Sequence, residues 1–236
     1  MRKIKDFLKT IIPSNIITLL FKLKNCIRYS FVSDKEKAFI RFFSSDSEKR
    51  KTNMKLNDNE IIFDIGGFEG DYTDKILKNN QNVISYIFEP VLSYAQKITK
   101  RFSNNKNVTV FNFGLSDNNQ KLKINIQGDG SSFIKEFDYK ESEEISEILD
   151  IHYFIKVNNI SEIGLMKINI EGSEYPLLER LIETKDILKV KRLLIQFHYV
   201  DENSYSKMVT IWKKLEKTHK LIWYFRPYIW EYWELK

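Results

Sequence analysis

The sequence predicts an α/β protein: a doubly wound, mainly parallel sheet with an antiparallel C-terminal strand and a helical N-terminal arm. Three observations lead there. From Glu60 onward, short apolar runs alternate with helix-like segments, as strand–helix crossovers onto one sheet require. Three of the eight glycines fall within residues 66–70, directly after the first of those runs. A chain of 236 residues, 42% of them hydrophobic, is long enough to bury one large core.

The elements follow in order. Residues 1–56 read as a basic helical arm ending in the charged run Ser47 to Lys55, and residues 57–236 as the main domain. Ile61–Ile65 is expected as a strand, Tyr72–Lys78 as a helix, Val83–Phe88 as a strand, Tyr94–Phe102 as a helix and Val108–Phe113 as a strand. Leu122–Ile126 reads as a strand, Gly128–Gly130 as a turn and Lys140–Leu149 as an acidic helix. Leu165–Ile170 reads as a buried strand, Leu177–Ile182 as helix, Leu193–His198 as a strand and Tyr205–Leu215 as a helix. The aromatic tail fits a hairpin of Lys220–Phe225 and Tyr228–Trp233 turning at Arg226-Pro227. Its aromatic side chains fit a core and sheet edge better than a base-stacking surface.

Charge is unevenly placed. Residues 1–56 hold 14 Lys/Arg against 5 Asp/Glu, and residues 57–236 hold 24 against 27. The main domain is mildly acidic, which argues against a nucleic-acid partner. The single cysteine, Cys26, excludes an internal disulfide and a cysteine-based zinc site. No metal-ligand cluster is expected: His152 and His219 have no acidic or histidine partner at ligand spacing and read as structural. No apolar run reaches the roughly 18–20 residues of a membrane span. Pro13-Ser14-Asn15 interrupts the apolar stretch after Arg2, Lys3 and Lys5, and Lys22 and Lys24 follow it, so a secretory leader is rejected. A cytoplasmic protein is expected. Two readings of the arm stay open: short helices packed on the domain, or a basic amphipathic segment resting on a membrane's inner face.

The glycine loop carries the first functional signal. Phe63-Asp64-Ile65-Gly66-Gly67-Phe68-Glu69-Gly70-Asp71 sits where the first strand gives way to a helix. Glycine there admits a ligand close to backbone, and the helix start offers free N–H groups. A pyrophosphate would meet Asp64, Glu69 and Asp71, all carboxylates, which weakens a dinucleotide reading. A ligand bearing an ammonium and a sulfonium suits them better, and S-adenosylmethionine is such a ligand. Glu89 closes the neighbouring strand, where a carboxylate can accept from both hydroxyls of a ribose.

Taken together, Asp64-Ile65-Gly66-Gly67-Phe68-Glu69-Gly70, Phe88-Glu89-Pro90 and Met166-Lys167-Ile168-Asn169-Ile170-Glu171-Gly172-Ser173-Glu174 resemble the FkbM-type methyltransferases. The resemblance covers roughly residues 57–200. It implies the class I, Rossmann-like fold, S-adenosylmethionine as cofactor, and methylation of a hydroxyl on a sugar, glycan precursor or secondary metabolite. It further implies that Asp64, Gly66, Gly67, Phe68 and Gly70 hold the methionine end and Glu89 the ribose, with Gly114 and Leu115 near the adenine. Gly130-Ser131-Ser132 resembles a small-residue loop at the substrate opening. Two departures from the family pattern stand out: Gly67 and Phe68 replace a common alanine and asparagine, and Asn169 replaces the usual aspartate. Asparagine can donate and accept but cannot act as a carboxylate base or a strong magnesium ligand.

The late segment reads independently as well. On an extended strand Lys167, Asn169 and Glu171 share one face, and polar groups inside a central strand must pair or line a cleft. The structural alternative is that Ser173 caps the next helix, with Glu171 and Glu174 complementing its dipole. His198 ends the following strand, where it can take a hydroxyl proton or bond a loop. Lys167, Asn169, Glu171 and His198 are the acceptor-side candidates. Two further readings stay open: a cofactor-binding or scaffold protein whose chemistry is altered at Asn169, and a nucleotide-dependent oxidoreductase.

Overall fold

A computed structural model of the chain describes residues 47–126, 142–225 and 230–236. A short helix α1 (Ser47–Thr52) leads into a seven-stranded sheet. Its strands are β1 (Ile61–Ile65), β2 (Ile84–Phe88), β3 (Val108–Phe111), β7 (Leu165–Ile168), β8 (Arg192–Gln196), β9 (His219–Phe225) and β10 (Trp230–Leu235). Their spatial order is β3-β2-β1-β7-β8-β10-β9. The first five are mutually parallel, and β10 runs antiparallel to both β8 and β9, as the sequence predicts. The order reverses between β1 and β7, so the crevice of this sheet type opens at their carboxyl ends.

The helices are α2 (Asp71–Asn79), α3 (Leu92–Arg101), α4 (Ile151–Val157), α5 (Glu174–Glu183) and α6 (Ser204–Leu215). Each buries an apolar stripe: Ile76 and Leu77 on α2, Ala95 and Ile98 on α3, Met208, Ile211 and Leu215 on α6. Asp150 starts α4 by accepting from the His152 N–H at 2.8 Å. Sequence periodicity misses this seven-residue helix because it is too short to show a pattern. Packing decides it: Phe154 sets its ring against Phe63, Phe88 and Phe111, with centroids 5.9, 5.0 and 5.2 Å away.

One expected element is overturned. Residues 142–149, expected within an acidic helix, belong to strand β6 (Ser142–Asp150) in a second sheet. That sheet is ordered β4-β6-β5, with β4 spanning Gly114–Ser116 and β5 Gln120–Ile126. Its real period is two: Ser146 and Ile148 are buried while Ile145 and Glu147 face outward. The helix propensity of glutamate and leucine yields because β5 supplies a full antiparallel partner, from Gln120 opposite Ile148 to Ile126 opposite Ser142. The expected strand 108–113 stops at Phe111, with the separate strand β4 beginning only at Gly114, and the expected strand 165–170 stops at Ile168. The Gly128–Gly130 turn, the 131–132 loop, Cys26 and the Arg226-Pro227 turn lie outside the described residues.

Of the arm, the described part is tied to the body. The Leu56 N–H donates to Asn80 Oδ1, whose amide donates back to the Met54 carbonyl, and Lys51 Nζ lies 4.4 Å over the Trp230 ring. Among the described residues no helix is long and apolar enough to cross a membrane.

Candidate active site

The loop after β1 is built from close approaches. Gly66 has φ +82°, and a Cβ there would lie 2.1 Å from the Asn169 carbonyl oxygen. At Gly67 a Cβ would fall 2.3 Å from the Ile87 side chain. The N–H groups of both glycines donate to the Phe88 carbonyl, which docks the loop on the end of β2. Phe68 adopts φ +50°, rare for a side chain of its size, and its N–H donates to Glu89 Oε2 at 2.7 Å. Gly70, at φ +82°, opens α2.

Glu89 is 5% exposed and its Oε1 accepts from the Val91 N–H at 3.0 Å. Burial pushes its carboxyl above the usual range, against the pull of the two N–H bonds. Each oxygen keeps a lone pair beyond its backbone donor.

Asp64 and Lys167 meet each other. They are register partners on the adjacent parallel strands β1 and β7, so their side chains share one sheet face. Asp64 is wholly buried: Oδ2 accepts from Thr73 Oγ1 at 2.7 Å, and Oδ1 lies 2.9 Å from Lys167 Nζ. Lys167, 4% exposed, also donates to the Gly66 carbonyl at 2.6 Å. Both side chains are thus engaged by the protein's own groups beneath the glycine loop. Two opposite charges brought together inside a sheet must pair, and this pair anchors the glycine loop from beneath. Glu69 likewise meets Lys97, and Asp71 meets Arg101. Each carboxylate of the loop thus has a cation, and the repulsion expected of a bound pyrophosphate is weaker than the sequence alone suggests.

The expected shared face of Lys167, Asn169 and Glu171 also ends early. With β7 closed at Ile168, Glu171 turns to φ +51° and its side chain is 71% exposed. Asn169 donates its N–H to the Ile65 carbonyl, and its Oδ1 is buried without a donor. Ser173 forms no side-chain cap on α5. Glu174, fully buried, does the tying instead: Oε2 accepts from the Gly172 N–H at 2.8 Å and Oε1 from the His198 N–H at 2.6 Å. His198 lies two residues beyond β8, its Nδ1 3.3 Å from Glu174 and its Nε2 3.5 Å from Glu171. Burial disfavours the charged ring, but the hydrogen bond and charge of Glu174, with Glu171 adding, outweigh it and raise the pKa.

These three loops, after β1, β2 and β7, converge at the switch point, and His198 follows β8 on the same edge. A model of the methyltransferase FkbM domain matches residues 57–220. The chain belongs to the FkbM methyltransferase family. Among solved structures, a putative methyltransferase from Streptococcus mutans in complex with SAH has 14% identity and TM-score 0.50, covering 80% of this chain and 96% of its own. A putative rRNA-methylase from Clostridium thermocellum follows at 10% identity and TM-score 0.49, covering 80% and 96%. The first of these likenesses shows the class I methyltransferase fold. No curated protein sequence matches.

Around the FkbM motifs, several residues have structural work that the sequence does not announce. Leu115 is 2% exposed within the main core, so its side chain offers almost no surface to an adenine. Gly114 leaves room for Ile148, whose Cδ1 a Cβ would meet at 2.6 Å. Thr73, Asn112 and Tyr175 escape sequence reasoning: Thr73 holds Asp64, Asn112 donates to the Glu89 and Pro90 carbonyls, and the Tyr175 hydroxyl donates to the His198 carbonyl. Thr73 alone had a signal, in the first turn of α2 on its buried face. His152 does find an acid, Asp186 at 2.6 Å, and His219 bonds the Val190 carbonyl.

Gly66→Ala is expected to destabilise this methyltransferase by more than about 2 kcal/mol, combining a left-handed φ with the Asn169 carbonyl clash. Urea unfolding checks it. A midpoint unchanged from wild type would mean that the loop can relax away from β7.

Proposed function

We propose that this methyltransferase moves a methyl group from S-adenosylmethionine to a hydroxyl oxygen of a sugar or glycan precursor. The observation that carries the reading is the cradle itself: three glycines at the switch point beside a buried Glu89 with acceptor capacity to spare. The chain's residues fit that cofactor. Gly66, Gly67, Phe68 and Gly70 bring backbone close enough to seat its methionine end, Glu89 accepts from the ribose hydroxyls, and the orphaned Asn169 Oδ1 accepts from a ligand N–H. When bound, S-adenosylmethionine supplies a methyl group on a sulfonium sulfur, open to in-line displacement by an oxygen.

Asp64, Lys167 and Thr73 act as positioning residues by fixing the loop's underside. His198, its ring placed by Glu174, takes the hydroxyl proton, and the exposed Glu171 beside Nε2 favours the protonated ring that results. Asn169 then carries no base role. The excess of acids over bases in residues 57–236 supports a sugar over a nucleic-acid acceptor. The same proposal extends to a cytoplasmic enzyme whose basic N-terminal sequence makes a peripheral contact with a membrane's inner face.

The test follows radiolabelled methyl from S-adenosylmethionine into nucleotide sugars and into total RNA, across a pH series. Label is expected in sugar. Because only neutral His198 accepts a proton, the rate should climb as pH rises through a pKa above 6.5. His198→Ala should lose about 10²–10⁴-fold in rate together with that pH limb. Label in RNA alone would overturn the acceptor, and an unchanged pH limb in the variant would remove His198 from proton transfer.

A further inference from the structure

The glycine loop is seated against a helix as well as against β2. Tyr94, Lys97, Ile98, Arg101 and Phe102 recur at i, i+3, i+4, i+7 and i+8, one face of α3 and its C-cap. Each meets the loop. A Cβ at Gly67 would fall 3.1 Å from Ile98 Cδ1, and one at Gly70 2.9 Å from the Phe102 ring. Phe68 sets its ring against Tyr94, with centroids 4.6 Å apart and planes at 60°. Glu69 pairs with Lys97 at 2.7 Å, and Arg101 donates to the Glu69 carbonyl at 2.8 Å.

These contacts are not equal. The Lys97 and Glu69 side chains are 58% and 43% exposed, and an ion pair so open to water contributes little. Ile98 and Phe102 fit against glycines, and Gly70 adopts its positive φ without steric cost. Phe68 is different: φ +50° is an outlier for a ring-bearing residue and persists only where its surroundings impose it. That conformation aims the Phe68 N–H at Glu89 Oε2, 2.7 Å away. Relaxation to a negative φ would turn the peptide before Phe68 against the rest of the loop and give up that bond. An edge-to-face ring pair is attractive beyond the area it buries, so Tyr94 opposes the relaxation. Tyr94 also stands near the start of α3, whose N-cap, Val91, donates its N–H to Glu89 Oε1 at 3.0 Å. One end of one helix therefore fixes both oxygens of Glu89, directly through Val91 and indirectly through Tyr94 and Phe68.

We infer that Tyr94 is a positioning residue for the cofactor: by clasping Phe68 it keeps the strained loop bonded to Glu89 and so holds that carboxylate in place for the ribose. The inference rests on the cofactor site proposed above, and it assigns Tyr94 no contact with the ligand.

Two readouts test it in full-length protein. Amide hydrogen exchange of Phe68, followed by NMR without cofactor, reads the clasp, and isothermal titration with S-adenosylmethionine reads its consequence. In Tyr94→Ala the Phe68 amide is expected to exchange faster and affinity to fall about tenfold, with little change in melting point. Tyr94→Phe keeps the ring and should match wild type in both. Phe68→Asn supplies the rescue. Asparagine tolerates the left-handed region, so in that background Tyr94→Ala should cost no further affinity. Unchanged exchange or unchanged affinity in Tyr94→Ala would overturn the inference. A Tyr94→Phe variant as weak as Tyr94→Ala would assign the effect to the hydroxyl and overturn the ring contact. A tenfold loss that persists beside Phe68→Asn would show that Tyr94 does not act through Phe68. Should Tyr94→Ala melt far below wild type, Tyr94→Leu, apolar but without a ring, replaces it under the same criteria. Wild type that protects the Phe68 amide yet binds no S-adenosylmethionine would overturn the cofactor site and the role of Tyr94 with it. Exchange that ignores Tyr94 would overturn that role alone.

Discussion

Glu89→Ala is expected to weaken S-adenosylmethionine binding by about 100-fold or more while the chain stays folded. A hydrogen bond to a charged group contributes about 1.5–3 kcal/mol, and a carboxylate at the tip of β2 can accept two from a ribose. The variant loses a second thing. The Phe68 and Val91 N–H groups both end on Glu89, so its removal frees the strained Phe68 and with it the cradle. Isothermal titration with S-adenosylmethionine and S-adenosylhomocysteine measures the affinity, and a thermal melt shows that the fold persists. Glu89→Gln should fall between the two, because its amide accepts one backbone N–H but opposes the other. Wild-type affinity in Glu89→Ala would detach the glycine loop from the cofactor. Binding should also fade as pH falls through the raised pKa of this carboxyl, since the protonated form surrenders an acceptor.

Lys167→Met should produce the largest loss of stability, about 3–5 kcal/mol, because it strands the wholly buried Asp64 carboxylate. In a chain of this length that corresponds to a melting point lower by on the order of 10 °C. Asp64→Asn in the same chain should recover most of the loss, since an amide in place of the carboxylate leaves no uncompensated charge. A single variant that melts like wild type, or a double variant no better than the single, would show that the pair contributes nothing to the fold. The same cycle separates positioning from chemistry. A double variant that folds but binds cofactor poorly would locate the defect in the Gly66 carbonyl, which then lacks its lysine.

Much of the framework was legible in the chain. Ile61–Ile65 is an apolar run between a polar stretch and a glycine cluster, and it is β1 to the residue. Such short buried strands show themselves because a parallel sheet covered on both faces tolerates little else. The described part of the helix expected over 140–149, residues 142–149, shows the opposite case. Its glutamates and leucine carry helix propensity, while its strand period appears only once β5 lies alongside. Local propensity is a fraction of a kcal/mol per residue, and a complete ladder of partners outweighs it.

The site divides along the same line. Sequence alone determined the glycine loop, the acid at the end of the second strand and the family to which they belong, because backbone conformation and short-range spacing are written locally. Only the tertiary structure decided what the charged residues do. Asp64 and Lys167 are 103 positions apart in the chain, yet β1 and β7 lie side by side in register, and the cost of burying either charge alone fixes them as a pair. Glu174 ties the loops after β7 and β8 for the same reason, and Glu231 on β10 accepts on one oxygen both the Trp233 indole of its own strand and the Trp212 indole of α6. Which partner a buried charge finds depends on how strands are ordered, and that ordering is a property of the folded sheet rather than of any one segment.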